Sequence, residues 1–171
     1  MVTSAWNHDE LRAVVLAMRN LQAPVRRDIN KASRVDLNPI WKSEIASRAR
    51  GPMDAKVLGT GARVKAGNPP TVIAASSRRA IGRSRRLKPT QSWYAWEFGA
   101  NTGKVTTYRR RSKNGGTHQV TRHTARQLPA RVKSGRVIYP AFAATAPRMA
   151  ARWVSGVVRL VHLAAEGKSD G

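Results

Sequence analysis

Leu11, Val14, Val15, Met18 and Leu21 recur at the i, i+3, i+4, i+7 spacing of a single helical face, with Arg12, Arg19 and Asn20 falling between them. Asn7 precedes the run as a candidate N-cap, and Asp9 and Glu10 place carboxylates in the first turn, where the helix dipole favours them. The pattern predicts a helix over 8–22. Ala23-Pro24 interrupts it, after which Val25, Ile29, Ala32 and Val35 carry an apolar stripe to Asn38-Pro39. That dipeptide predicts the cap and first turn of a further helix running through Arg48.

Gly51-Pro52 closes the helical third. Gly59, Gly61, Gly67 and Asn68-Pro69-Pro70 then divide the chain into two short extended pieces, 62–66 and 71–75, which predict a small hairpin. In Trp93-Tyr94-Ala95-Trp96-Glu97-Phe98-Gly99, strand alternation would bury one aromatic face, so core packing is the expected role of Trp93, Tyr94, Trp96 and Phe98, ahead of base stacking. Segments 104–109 and 117–124 flank Asn114-Gly115-Gly116 and predict a longer hairpin arm. Thr145-Ala146-Pro147 predicts the start of a last helix, whose stripe is Met149, Trp153, Val157, Leu160, Val161 and Ala164 and whose end lies near Gly167. The economical architecture is α+β: a small antiparallel sheet packed against N-terminal and C-terminal amphipathic helices, with a basic hairpin arm. A chain of 171 residues forms one domain, helical over 8–50, strands and basic loops over 57–125, and helix over 146–166.

Charge changes this picture. The chain has 32 Lys+Arg against 9 Asp+Glu, a net charge of +23. A surface this self-repelling calls for a polyanion or an acidic partner. Between Ala55 and Ala165, 22 Lys/Arg face one acid, Glu97. The cations concentrate in two loops, one carrying Arg78, Arg79, Arg83, Arg85, Arg86 and Lys88, the other Arg109, Arg110, Arg111 and Lys113. Phosphate contact is their expected role, and it predicts binding that weakens steeply with salt. Glu97, set among aromatics, must be paired or hydrogen-bonded, and a nearby Arg is the expected partner, within the chain or across a subunit boundary.

Enzymatic signatures are absent. Two-metal chemistry needs clustered carboxylates, and the basic half offers only Glu97. His118 and His123 fall on opposite faces of the predicted hairpin, and His8 and His162 are isolated. Gly59-Thr60-Gly61 lacks the third glycine of a dinucleotide fingerprint, Gly103-Lys104 lacks the spacing of a P-loop, and no serine sits in a Gly-x-Ser-x-Gly elbow. The chain has no cysteine, which fits synthesis in a reducing cytoplasm. The first residues lack the pattern of a secretory signal, and Arg159 and His162 interrupt the most apolar stretch. The expectation is a protein with no catalytic, metal or cofactor site and no membrane contact.

Taken in order, the N-terminal helix pair, the short strands, Tyr94-x-x-Glu97-Phe98-Gly99, Tyr139-Pro140-Ala141-Phe142 and Ala146-Pro147 before a terminal helix resemble the gene-10-like tail-component family of lambdoid and related long-tailed phages. Order and spacing carry the resemblance over most of the chain. Ala100 stands where a small or hydroxyl residue is usual, Leu58-Gly59-Thr60-Gly61-Ala62-Arg63 replaces a Thr-Gly-x-Leu-type segment, and the arm is longer and more basic than usual. The resemblance implies a non-enzymatic virion protein, made in the host cytoplasm, that forms a homo-oligomeric ring at the head-to-tail junction. Its neighbours would be connector, stopper, tail terminator or tail-tube proteins, with non-specific DNA contact in the lumen. Trp93, Tyr94, Trp96, Glu97, Phe98, Gly99, Tyr139 and Phe142 would be structural or assembly contacts, and the two basic clusters would face the DNA channel or partner proteins. The alternatives are the tail terminator itself and a free basic nucleic-acid-binding protein of the nucleoid or ribosomal type.

Overall fold

The computed structural model describes residues 8–82, 87–123 and 128–166. The elements run α1 (His8–Arg19), α2 (Ala23–Arg48), α3 (Pro52–Asp54) continuing as a π-helical turn (Ala55–Gly59), β1 (Arg63–Lys65), β2 (Thr71–Ile73), α4 (Pro89–Phe98), β3 (Val105–Arg111), β4 (Thr117–His123) and α5 (Ile138–Ala165). The fold is α+β. Its strands form two separate antiparallel pairs, β1 with β2 and β3 with β4, rather than a single sheet.

The most extensive contact between elements is that of α2 with α5. Ile29, Ser33, Leu37, Trp41 and Ile45 form the buried ridge of α2; Ala141, Thr145, Met149, Trp153 and Val157 form that of α5, which ends on Leu160. Both ridges advance by four residues, the spacing that lets one helix seat in the groove of another. The helices run antiparallel: Glu44 near the end of α2 meets Arg148 early in α5, while Asp28, Ala32 and Asp36 lie beside Arg159 and Leu160. Two ridge positions are polar, and each is satisfied locally. The Ser33 hydroxyl donates to the Ile29 carbonyl at 2.6 Å, and that of Thr145 to the Ala141 carbonyl at 2.7 Å.

Pro39 does not begin a helix; it lies inside one, and so does Pro147. A mid-helix proline removes one hydrogen bond to the carbonyl four residues earlier. Here those carbonyls belong to Val35 and Ala143, both exposed, as are the two prolines, so solvent can supply the missing donor. The buried ridges lie elsewhere on each helix and continue past the prolines without a break. Asn38 also has a different task. Its side-chain oxygen accepts the Val64 amide of β1 at 2.7 Å. Val35 is 65% exposed and lies outside the core, as does exposed Ala164; Leu37, Trp41 and Ile45 carry the ridge instead.

The first hairpin forms where expected, over narrower limits. Trp41 fixes it to α2 by donating Nε1–H to the Ile73 carbonyl at 2.9 Å. The helical region does not close at Gly51-Pro52: the segment 52–59 is helical too, with Val57 and Leu58 fully buried.

The aromatic run is helix, not strand. Pro89 stands at the first turn of α4, and the ten-residue helix stops at Gly99. Helical spacing buries Glu97 and half-buries Trp93 and Trp96 against the core, leaving Tyr94 60% exposed. The last helix begins at Ile138, well before Thr145-Ala146-Pro147. Its expected end at Gly167 lies outside the described residues. Among the described residues no helix is long and apolar enough to cross a membrane.

Candidate functional site

Glu97, in the last turn of α4, has no solvent exposure. Its Oε1 accepts the backbone amides of Arg136 (3.1 Å), Val137 (3.2 Å) and Tyr139 (3.0 Å); Oε2 accepts those of Val137 (3.2 Å) and Ile138 (3.0 Å). These are the otherwise unpaired donors at the start of α5, whose N-cap residue, Val137, offers no side-chain cap of its own. A carboxylate at a helix N-terminus also meets the positive end of the dipole. Glu97 is thus the cap of a helix about forty residues further along the chain.

The expected Arg partner is present but turned elsewhere. Arg136 gives Glu97 its backbone amide and sends its guanidinium to Asp54, in bidentate contact at 3.2 and 3.1 Å. The same guanidinium donates to the Trp96 carbonyl at 2.9 Å, and Asp54 also accepts the Arg50 amide at 3.2 Å. Both side chains are nearly buried. Glu97, Arg136 and Asp54 therefore clamp α3, the end of α4 and the start of α5 together. Asp54 and Arg136 escaped notice in the sequence because nothing local marks a contact spanning 82 positions.

Two glycines make the clamp possible. Gly99 has φ +68°, and a Cβ there would strike the carbonyl oxygens of Pro129 and Ala130. That close approach lets Ala100 N–H donate to Pro129 at 2.9 Å and Val132 N–H donate to Phe98 at 2.8 Å. Gly135 has φ +81°, and a Cβ there would lie 2.5 Å from Glu97 Oε1.

Around the clamp the aromatics form a column. Trp93 and Phe98 have centroids 6.3 Å apart, and Phe98 and Tyr139 5.3 Å apart, both tilted. Tyr139 and Phe142 are about half exposed. Phe142 borders an apolar cleft of about 250 Å³, whose other walls include Leu11, Val15, Pro70, Met149 and Trp153. The loop bearing Pro70 is tied to α1 by Asn68, whose side-chain amide donates to the Val15 carbonyl at 2.8 Å.

The second feature is the arm. β3 and β4 pair over seven residues each, from Val105 opposite His123 to Arg111 opposite Thr117. Every residue of the pair is exposed except Thr106 and Val120, which are half-buried. Among the described residues the two strands pack on each other and make no extensive contact with any other element. Arg109, Arg110, Arg111 and Lys113 are all exposed. His118 and His123 lie on opposite faces, as their spacing requires. Arg78 and Arg79 are exposed in the stretch after β2, away from the arm in sequence; Arg83, Arg85 and Arg86 lie outside the described residues. Among the described residues no group of three or more His, Cys, Asp or Glu is placed to hold a metal ion.

No family model, curated protein or solved structure matches this chain.

Proposed function

We propose that the chain is a non-enzymatic structural protein of the head-to-tail junction of a long-tailed bacteriophage, a neck or tail-completion component. It would assemble as a ring around the DNA channel and join the head connector to the tail. The observation that carries this reading is the β3–β4 arm. A lone two-stranded hairpin is marginal in water, because it has no second layer on which to bury a face. This one is solvated on both sides and carries a row of arginines. A partner that covers or neutralises it accounts for both properties, and a ring at the neck supplies neighbouring subunits, adjoining virion proteins and DNA.

The half-exposed Tyr139 and Phe142, beside an apolar cleft, add surface suited to subunit contact. The rigid clamp at Glu97 supports the same reading, because it orients the start of α5 and the aromatics on it. The order of motifs that resembles the gene-10-like tail components agrees with this assignment.

Electron microscopy of purified virions tests it. The expected result is a closed ring of this chain at the neck. Absence from the particles, together with tight DNA binding by the isolated monomer, would select the free nucleic-acid-binding protein that the net charge of +23 also suits.

A further inference from the structure

We propose that the β3–β4 arm is a ribbon for duplex DNA, which enters the major groove and contacts the phosphates of both walls at once without reading sequence. The inference rests on the neck reading, which brings DNA within reach of the arm. The strand register places its cations. Thr106, Tyr108 and Arg110 share one face with His118, Val120 and Arg122; Val105, Thr107, Arg109 and Arg111 share the other with Thr117, Gln119, Thr121 and His123. Each face therefore carries two arginines.

That distribution argues against the usual way a hairpin docks. A hairpin lying on a protein surface buries one face, and that face is apolar. Here neither is. Tyr108 stands opposite Val120, and the Arg122 guanidinium lies 6.0 Å from the Tyr108 ring centre. An anionic surface on one side would need cations on one face only. Arginines on both faces fit surroundings that are anionic on both sides.

The major groove provides them. It is about 12 Å wide, admits a two-stranded ribbon and is walled by phosphates. Seven residues per strand reach roughly 20 Å, enough to follow the groove. Thr107, Thr117, Thr121 and Gln119 add donors for phosphate oxygens, and no Asp or Glu occurs between Gly99 and Ala165 to repel them. Lys113 sits at the turn, where the ribbon's tip enters.

Fluorescence anisotropy of the full chain with a short duplex, titrated over a range of salt, tests the proposal. Two paired variants each empty one face: Arg109→Ala with Arg111→Ala, and Arg110→Ala with Arg122→Ala. Each pair should flatten the slope of log affinity against log salt by about 1.8, twice the 0.9 expected per phosphate, and duplexes of unrelated sequence should bind alike. A slope change from one pair only would mean a ribbon lying flat, and would overturn the groove contact. Single strands binding as tightly as duplex at equal charge would overturn it too. Poly-glutamate displacing DNA at equal charge would point to an acidic protein partner instead. Ring formation by the same variants, followed by electron microscopy, separates the two readings. Intact rings without the two-faced salt response sink the ribbon alone, whereas a full salt response without rings in virions sinks the neck assignment alone.

Discussion

Arg136 gives Glu97 its backbone amide and withholds its side chain, which reaches Asp54 instead. One residue thereby joins two buried carboxylates without placing its guanidinium on the better-buried one. Glu97 is already saturated by four consecutive backbone amides, so a guanidinium there would have to displace them. Asp54 lacks such a set, and the bidentate arginine completes it.

Replacing Glu97 by Ala leaves those four amides without their acceptor, inside the protein. Folding stability should fall by about 3 kcal/mol, measured by urea denaturation, with assembly into the proposed ring impaired. Glu97→Gln keeps one acceptor oxygen and should lose roughly half as much. DNA affinity should be unchanged or higher for both. Unaltered stability in Glu97→Ala would remove the capping role.

Gly135→Ala should reproduce the Glu97→Ala defect, because its Cβ would lie 2.5 Å from Oε1 and push the carboxylate aside, and the residue would be held at φ +81°. The double variant should be little worse than either single one, since both changes break the same contact. Additive losses would show that the two positions act separately.

Arg136→Lys retains a charge but loses the planar fork that meets Asp54 and the Trp96 carbonyl together. A loss of about 2 kcal/mol is expected, and charge alone should not rescue it. Equal stability of Lys and Arg at this position in thermal melts would reduce the clamp to a simple ion pair.

The first hairpin is held by two side chains of α2. Trp41→Phe removes the donor to Ile73, and Asn38→Ala removes the acceptor for Val64; each should cost about 1 kcal/mol. Amide exchange at Val64 should accelerate in Asn38→Ala more than in Trp41→Phe. Unchanged exchange in both variants would mean that the hairpin is held chiefly by its own pairing.

Pro39→Ala should raise stability by about 1 kcal/mol or more, because it restores a helical hydrogen bond on an exposed face and leaves the buried ridge untouched. A fall in melting temperature would show that a proline at position 39 is needed for packing against α5.

Much of the architecture was legible in the chain itself. The stripe Leu11 to Leu21, the stripe from Met149 to Leu160 and the turn at Asn114-Gly115-Gly116 are periodic or conformational signals carried by neighbouring residues, and each marks an element that forms. The basic character of the arm is legible for the same reason, since charge is a property of composition. The short aromatic run is ambiguous in the sequence because seven residues suit helix or strand about equally well, and the choice falls to a proline four positions before Trp93 and to the burial of Glu97.

Tertiary structure decided the rest. Local rules place a helix start at a proline one or two positions after a small polar residue, and both Asn38-Pro39 and Thr145-Ala146-Pro147 satisfy them, yet both prolines lie within longer helices. Those helices continue because their exposed faces leave the freed carbonyls to water while their buried ridges pack on each other. The start of α5 is set by a carboxylate about forty residues away, and the partner of Arg136 lies 82 positions back. Periodicity, composition and turn chemistry act between neighbours, so the sequence alone determined where elements could form and where charge would lie. Which carboxylate caps which helix, and which arginine meets which acid, depends on distances that exist only once the chain has packed.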